Sequence, residues 1–225
     1  AALAALVWTA AQRWPTWLTL PMSPALLSPL CADTAAMAAA LLQARQTILP
    51  KRLMEPGPSA AELHTIVSAA AHAPDHGQLL PWRLVCVPPA QRAALAEAFA
   101  AALLARDASA TPEQLAQARD KAFRSPVLLL LVVDGLRGDP EIDLHERLLS
   151  AGCAVQNILL MATALVYGSA LTSGKALKDA GLRTLFGLAA GEHAVCFVSL
   201  GRVQSRKPPR LRPVLADYFT TLGTP

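Results

Sequence analysis

The chain has 225 residues, a net charge of +4 and 53% hydrophobic residues, which is enough apolar material to bury a sizeable core. This composition excludes an intrinsically disordered protein, and no apolar run reaches the roughly 18 uninterrupted residues that a membrane span requires. Five basic residues and no acid lie between residues 201 and 213, so the remaining chain carries a net charge of about −1. The basic segment is therefore interpreted as a local anion site or a solvated tail, and no nucleic-acid-binding face is predicted.

Residues 1–36 are predicted to be an extension that precedes a folded domain of residues 37–225. The extension lacks an initiator Met and a positively charged start, so a secretory signal is disfavoured. Two origins stay open for it: translation from upstream of a start at Met37, and cleavage from a longer precursor. The four cysteines show no Cys-x-x-Cys spacing, and we expect buried, reduced thiols and a cytoplasmic protein. These cysteines are Cys31, Cys86, Cys153 and Cys196.

Along the chain, helical and strand patterns alternate. The Ser-Ala-Ala-Glu sequence from Ser59 to Glu62 has the capping-box pattern and starts a helix that ends before Pro74. The run Pro-Val-Leu-Leu-Leu-Leu-Val-Val-Asp is typical of a strand that is buried on both faces. Further helices are predicted over 35–46, 90–107, 112–123 and 143–167, strands over 83–88, 126–134 and 194–201, and a loop with a short helix from Ser169 to Leu177. This order predicts an α+β or α/β fold, with a sheet of at least three strands flanked by helices.

The common phosphate, metal and nucleophile motifs are absent. No Gly-x-Gly-x-x-Gly sequence follows a predicted strand, so a Rossmann dinucleotide site has no support. The segment from Gly168 to Ala176 resembles a P-loop but has one residue too many between its glycines, and Ala stands where Ser or Thr should bind magnesium. No metal site is predicted, because Pro74 separates His72 from His76 and prevents them from sharing a helical face. Cys153 has no sequence-evident base, which disfavours it as a nucleophile.

Polar residues follow the ends of several predicted elements. Each set alone is typical of helix ends, turns and tails, but together they have the pattern of a known family. The chain from about Met37 onward resembles the nitroreductase family of FMN-dependent oxidoreductases, and specifically its small YdjA-like branch. The resemblance rests on four segments: Ala-Pro-Asp-His-Gly-Gln-Leu-Leu-Pro-Trp from residue 73, the long helical pattern of 151–168, Leu-Thr-Ser-Gly at 171–174, and a Val-Ser-Leu-Gly strand followed by an arginine-rich stretch.

The resemblance implies a nitroreductase-like fold with a central, mostly antiparallel sheet, and a homodimer that binds FMN at its interface. It implies NADH or NADPH as co-substrate and a small electron acceptor such as a nitroaromatic or a quinone. Because the flavin carries the hydride chemistry, no catalytic side chain is predicted. The implied FMN-binding residues are Arg45, Gln46, Thr47, His72, His76, Leu171, Thr172, Ser173, Gly174, Arg210 and Arg212.

Within that set, the arginines and Thr47 are expected to bind the FMN phosphate, whose charge suits the planar guanidinium. The histidines are expected to face flavin or ribityl oxygens, partly from the partner subunit. The alternative is a capped turn with solvated histidines. The backbone at Gly174 is expected to present an N–H toward flavin N5.

Two departures from the family pattern leave alternatives open. The family begins its FMN motif with Arg-Arg-Ser, whereas this chain has Arg-Gln-Thr at residues 45–47, followed by an apparent insertion after which Lys51 or Arg52 could replace the missing cation. Where the branch has Trp-Arg-Ser, this chain has Leu-Thr-Ser at residues 171–173. These changes keep open a flavin- or small-ligand-binding protein without reductase turnover. An anionic-surface or nucleic-acid interaction through the arginine-rich tail is the third alternative.

Overall fold

The protein is described by a computed structural model, which covers residues 24–208 and 210–223, with side chains from residue 33 onward. The described chain divides into two units, with the division between residues 40 and 41. Helix α1, Pro24–Ala44, begins earlier than the helix predicted over 35–46. The predicted start of the folded domain at residue 37 therefore falls inside α1, and residues 1–23 of the predicted extension lie outside the described residues.

Five further α-helices follow in the second unit, and the first four of them occupy segments that the sequence predicts as helical. The predicted capping box is present: Ser59 N–H donates to Glu62 Oε2 at 2.8 Å, and Glu62 N–H donates to Ser59 Oγ at 3.3 Å. The fifth, a helix of six residues, was not predicted. These helices are α2 Ala60–Ser68, α3 Arg92–Arg106, α4 Pro112–Asp120, α5 Leu144–Ala164 and α6 Ala180–Leu185.

The strands form one five-stranded sheet in which all described strand pairs are antiparallel. β5 pairs with β1, β3 and β4, and β2 pairs with the other edge of β3. An isolated parallel bridge joins Thr47 to Ser169. The strands are β1 Leu53–Met54, β2 Trp82–Cys86, β3 Val127–Asp134, β4 Gly168–Thr172 and β5 Glu192–Val203. The predicted α+β class and the mostly antiparallel sheet are confirmed.

β3 separates two apolar cores, because successive side chains of a strand point to opposite faces of the sheet. Leu129, Leu131 and Val133 pack with helices α2 and α5 on one face. Leu128, Leu130 and Val132 pack with α3 and α6 on the other face. The prediction of a strand buried on both faces is therefore confirmed. We call the two sides the α5 face and the α3 face.

Three sequence predictions were wrong in detail. The segment 83–88 was expected to be a buried strand, but β2 is an edge strand that is only half buried, and Cys86 is exposed. The segment from Ser169 was expected to be a loop, but β4 runs from Gly168 to Thr172. Cys153 is partly exposed, whereas burial raises the pKa of the Cys196 thiol to about 11. The side chain of Cys31 lies outside the described side chains.

Helix α5 is the one described helix that is long and apolar enough to cross a membrane, by length and composition alone. Its core-facing residues are almost completely covered: Ala154 is 1% exposed, Val155 4% and Ile158 0%. Packing against the α5 face of the sheet therefore accounts for the apolar character of this side of the helix. The opposite side is only partly apolar and is exposed at Leu149.

Candidate functional site

A cavity of about 700 Å³ lies on the α3 face of the sheet. Its apolar wall is made by residues of α3, β3, β5 and the 3₁₀ turn after β4: Phe99, Leu103, Leu128, Phe197 and Leu177. Phe99 and Phe197 meet edge to face, with ring centroids 5.7 Å apart. The cavity therefore has an apolar aromatic wall and a volume large enough for a small-molecule ligand.

The loop after β4 supplies the polar wall of this cavity. Thr172, Ser173 and Gly174, three of the predicted FMN-binding residues, all line it. Gly174 starts a short 3₁₀ turn whose Leu177 N–H donates to the Gly174 carbonyl at 3.1 Å. A Cβ atom at Gly174 would meet no atom within 4 Å, so the backbone here borders open space. The side chain of Leu171 is 44% exposed and is not part of the cavity lining.

The segment from Arg45 to Thr47 lies beside the first residues of β4. Thr47 forms the bridge with Ser169, and Ile48 N–H donates to the Ser169 carbonyl at 2.9 Å. From the C-terminal segment, Arg212 Nη2 donates to the Arg45 carbonyl at 3.3 Å. The structure thus brings the Arg45–Thr47 segment and the arginine-rich tail together, although these lie at opposite ends of the folded unit in sequence.

Gln46 and Arg210, two other members of the predicted set, are close to these segments in sequence. Gln46 is partly buried between Arg45 and Thr47, and Arg210 is exposed two residues before Arg212. Neither residue lines the cavity. A few residues after Thr47, the chain reaches the cavity wall at Leu49, Pro50 and Lys51. Of the two cations that could replace the missing family arginine, Lys51 lines the cavity and Arg52 does not.

The histidine turn lies on the opposite side of the sheet from this cavity. His76 Nδ1 is 2.6 Å from Glu146 Oε2, and Trp82 Nε1 donates to Ser150 Oγ at 3.0 Å, so the turn is fixed to the first half of α5. His72 ends the 3₁₀ turn that follows α2 and is exposed. Within one chain, the two histidines therefore do not join the other predicted site residues.

The backbone of the histidine turn adopts an unusual conformation. Gly77, Gln78 and Leu80 all have positive φ angles of 67°, 53° and 46°. Side chains other than that of Gly rarely adopt this region, so the surrounding contacts must hold the turn in place. One such contact is the Asp75 carboxylate, which accepts a hydrogen bond from Leu80 N–H at 2.6 Å. This contact and the contact between His76 and Glu146 support the turn in this conformation.

Several cationic residues of the cavity were not predicted from the sequence. Their positions follow ordinary patterns, such as the last residue of a helix or the residue after a loop, so no sequence signal separates them from solvated charges. Only Lys51 was considered, as a replacement cation. The cationic residues that line the cavity are Lys51, Arg106, Lys121, Arg124 and Lys175. No group of three or more potential metal-binding side chains occurs within the described part of the chain.

Comparisons with known proteins agree with this architecture. A model of the nitroreductase family matches residues 42–202. A Haemophilus influenzae protein provisionally named an NAD(P)H nitroreductase is 30% identical over 174 residues, which cover 76% of this chain and 92% of that protein. The Escherichia coli protein YdjA, with a similar provisional name, is 32% identical over 155 residues, which cover 68% of this chain and 82% of YdjA.

Solved structures show the same fold at low sequence identity. A nitroreductase-like family protein from Bacillus cereus superposes with a TM-score of 0.69 at 16% identity, covering 83% of this chain and 96% of that one. A mutant of NfnB from Sphigopyxis sp. strain HMH, described as an FMN- and NADPH-dependent nitroreductase, superposes with a TM-score of 0.66 at 20% identity. The match covers 83% of this chain and 99% of that one.

Proposed function

Since the chain belongs to the nitroreductase family, we propose that it is an FMN-dependent NAD(P)H oxidoreductase that reduces electron-poor acceptors such as nitroaromatics or quinones. The observation that carries the proposal is the convergence of three sequence-distant segments, residues 45–51, 172–174 and 210–212, around β4 and its adjoining cavity. When bound, FMN supplies the hydride-transfer chemistry, and the protein supplies binding, orientation and electrostatics.

The donor set of the described residues fits FMN. A phosphate needs cationic and hydroxyl donors, and Arg45, Thr47 and Arg212 lie together beside β4, with Arg210 two residues away. The flat ring system needs an apolar wall, which Phe99, Leu128 and Phe197 provide. The polar edge of the ring would be bound by the loop of residues 172–174, where the backbone of Gly174 borders open space. These residues bind and orient the cofactor, and none is assigned a proton-transfer role.

A homodimer accounts for the separation of the histidine turn from the cavity. In one chain the turn lies on the α5 face, so it can contact a flavin only if a second copy brings it there. The exposed side of α5 carries apolar residues that need cover: Leu149 is 69% exposed and Leu148 37%. The C-terminal segment is also apolar and exposed, as at Phe219. We therefore assign α5 and the C-terminal segment to the contact between two copies of the chain.

The second candidate function is flavin or small-ligand binding without turnover. The Leu-Thr-Ser sequence at residues 171–173 favours it, because it lacks the aromatic and cationic side chains that the family resemblance leads us to expect there. In either case the three free cysteines among the described side chains agree with a reducing, cytoplasmic compartment, and that location remains a prediction.

The experiment that tests the proposal starts with the colour of the purified protein. We expect a yellow protein from which heat releases FMN. We also expect anaerobic NADPH to bleach the flavin absorbance, and a quinone such as menadione to restore it. Bleaching that never occurs, with FMN bound, would favour the binding-only function. A protein that stays colourless after incubation with excess FMN would contradict both the reductase proposal and flavin binding, and would leave only the binding of another small ligand.

A variant pair tests the phosphate assignment separately. Arg212→Ala should lower FMN retention during gel filtration about tenfold or more, because it removes a charge-assisted contact. Arg137→Ala is the matched control, since Arg137 is exposed in the loop after β3 and far in sequence from the site. Equal FMN content in the two variants would refute the assignment of Arg212.

A further inference from the structure

Three of the cations that line the cavity are not used by the FMN assignment. Arg106 is the last residue of α3, Lys121 begins the 3₁₀ turn after α4, and Arg124 follows that turn. All three line the cavity together with Gln114 and Gln117 of α4. We call Arg106, Lys121 and Arg124 the cationic wall.

The charge of this wall is only partly neutralised. Arg124 Nε lies 2.8 Å from Asp120 Oδ2, so this cation shares its charge with an exposed carboxylate. Arg106 and Lys121 form no ion pair with any described residue. None of the described cavity-lining residues is Asp or Glu. The cavity therefore presents an excess of positive charge, and a cleft of one sign attracts ligands of the opposite sign.

The wall differs from the residues assigned to the FMN phosphate. Arg45, Arg210 and Arg212 do not line the cavity, whereas the three wall residues do. An FMN molecule has one phosphate group, and that group already has its own cations under the proposed function. The cationic wall therefore suits a second anion, carried by a ligand that shares the apolar cavity with the flavin.

We propose that the cationic wall binds the 2′-phosphate of NADPH and so makes the protein prefer NADPH to NADH. This inference rests on the proposed function for its co-substrate. The 2′-phosphate is a dianion that NADH lacks, and arginine and lysine are the side chains that recognise phosphate in proteins. The neighbouring amides of Gln114 and Gln117 supply neutral donors and acceptors for the adenosine portion.

Steady-state kinetics with both nucleotides test the wall. Arg106→Gln, Lys121→Gln and Arg124→Gln should each lower kcat/KM for NADPH about tenfold, as expected for one charged hydrogen bond, with the smallest effect at the partly neutralised Arg124. The same variants should leave kcat/KM for NADH within about twofold. The wild-type protein should prefer NADPH, and added salt should weaken that preference.

The matched control is Arg119→Gln. Arg119 lies on α4, next to the wall in sequence, but its guanidinium is held by Glu97, with Nε and Oε1 2.8 Å apart, and it does not line the cavity. This variant should leave both nucleotides unaffected. Equal losses for NADPH and NADH in the wall variants would overturn the proposal, since they would place the wall at the pyrophosphate that both nucleotides share. Unchanged kinetics for both nucleotides would overturn it as well.

A binding measurement separates this inference from the proposed function. Calorimetry on the full chain should show adenosine 2′,5′-bisphosphate binding more tightly than adenosine 5′-monophosphate, and the triple wall variant should abolish the difference. If the protein proves inactive but still discriminates between the two probes, the reductase proposal fails while the wall stands. If the wild-type protein binds the two probes equally, the wall proposal is overturned whatever the activity.

Discussion

The ion pair between Arg83 and Glu192 is expected to stabilise the fold in a pH-dependent way. Glu192, at the start of β5, is 9% exposed and accepts bonds from Arg83 Nε at 2.6 Å, Arg83 Nη2 at 2.9 Å and Ala189 N–H at 3.0 Å. Hydrogen bonding from Arg83 lowers the pKa of the Glu192 carboxyl from its ordinary value of 4.5 to about 2. Glu192→Gln keeps the shape of the side chain and removes this charge.

The size of the effect follows from that shift. The lowered pKa of Glu192 corresponds to about 3 kcal/mol of unfolding free energy at neutral pH. Because the Arg83 side chain is 42% exposed, solvent screening reduces this contribution to about 2 kcal/mol. Because the pKa is lower in the folded state, the stabilisation is fully present above pH 4.5 and is lost as the pH falls toward 2. The difference between wild type and variant should therefore shrink by about half between pH 7 and pH 3.

Urea unfolding followed by far-ultraviolet circular dichroism measures this difference at each pH. Glu97→Gln is the control, because Arg119 binds Glu97 with the same two-bond geometry on an exposed surface and the substitution should change the unfolding midpoint little. If Glu192→Gln lost the same free energy at pH 7 and pH 3, the contribution would come from side-chain shape and the electrostatic reasoning would be refuted.

Two further predictions concern the loop after β3 and the contact between copies. Arg147 is 1% exposed and donates to four backbone carbonyls, among them that of Ile142 at 2.8 Å. Arg147→Met should therefore cost about 3 kcal/mol of unfolding free energy and speed proteolysis of the loop after β3. Arg137→Met is the control, and equal protease resistance of the two variants would contradict the reasoning. Leu149→Glu should convert the proposed dimer into a monomer in analytical ultracentrifugation, because it places a charge on the exposed apolar side of α5. Leu104, which is 47% exposed on the α3 face, is the control site, and Leu104→Glu should leave the dimer intact. If the Leu149→Glu variant stayed dimeric, α5 would not be part of the interface.

Local sequence patterns determined much of the fold. The capping box at Ser59 starts a helix where the pattern places it, because it satisfies backbone N–H groups within one turn. β3 could be predicted because its apolar run is long enough and branched enough to exclude most alternatives. These features depend on residues a few positions apart, so they are visible in the sequence alone.

Other elements depend on distant partners and could not be predicted in this way. β4 contains Gly168 and Ser169 and has little strand propensity of its own; it is a strand because β5 offers it an unpaired edge. β1 has two residues and exists only through its pairing with Val203 and Arg202. The early start of α1 and the exposure of Cys86 likewise had no sequence signal.

The candidate site likewise combines features that depend on local sequence with features that depend on distant partners. The sequence by itself determined the family and the segments that carry its polar residues, because those motifs are short and local. Only the tertiary structure decided that residues 172–174 share a cavity with the cationic wall, that the Arg45 carbonyl meets Arg212, and that the histidine turn lies on the other side of the sheet. The physical reason is that these distances are set by how the strands pair and how the helices pack on each face, and no local pattern encodes them.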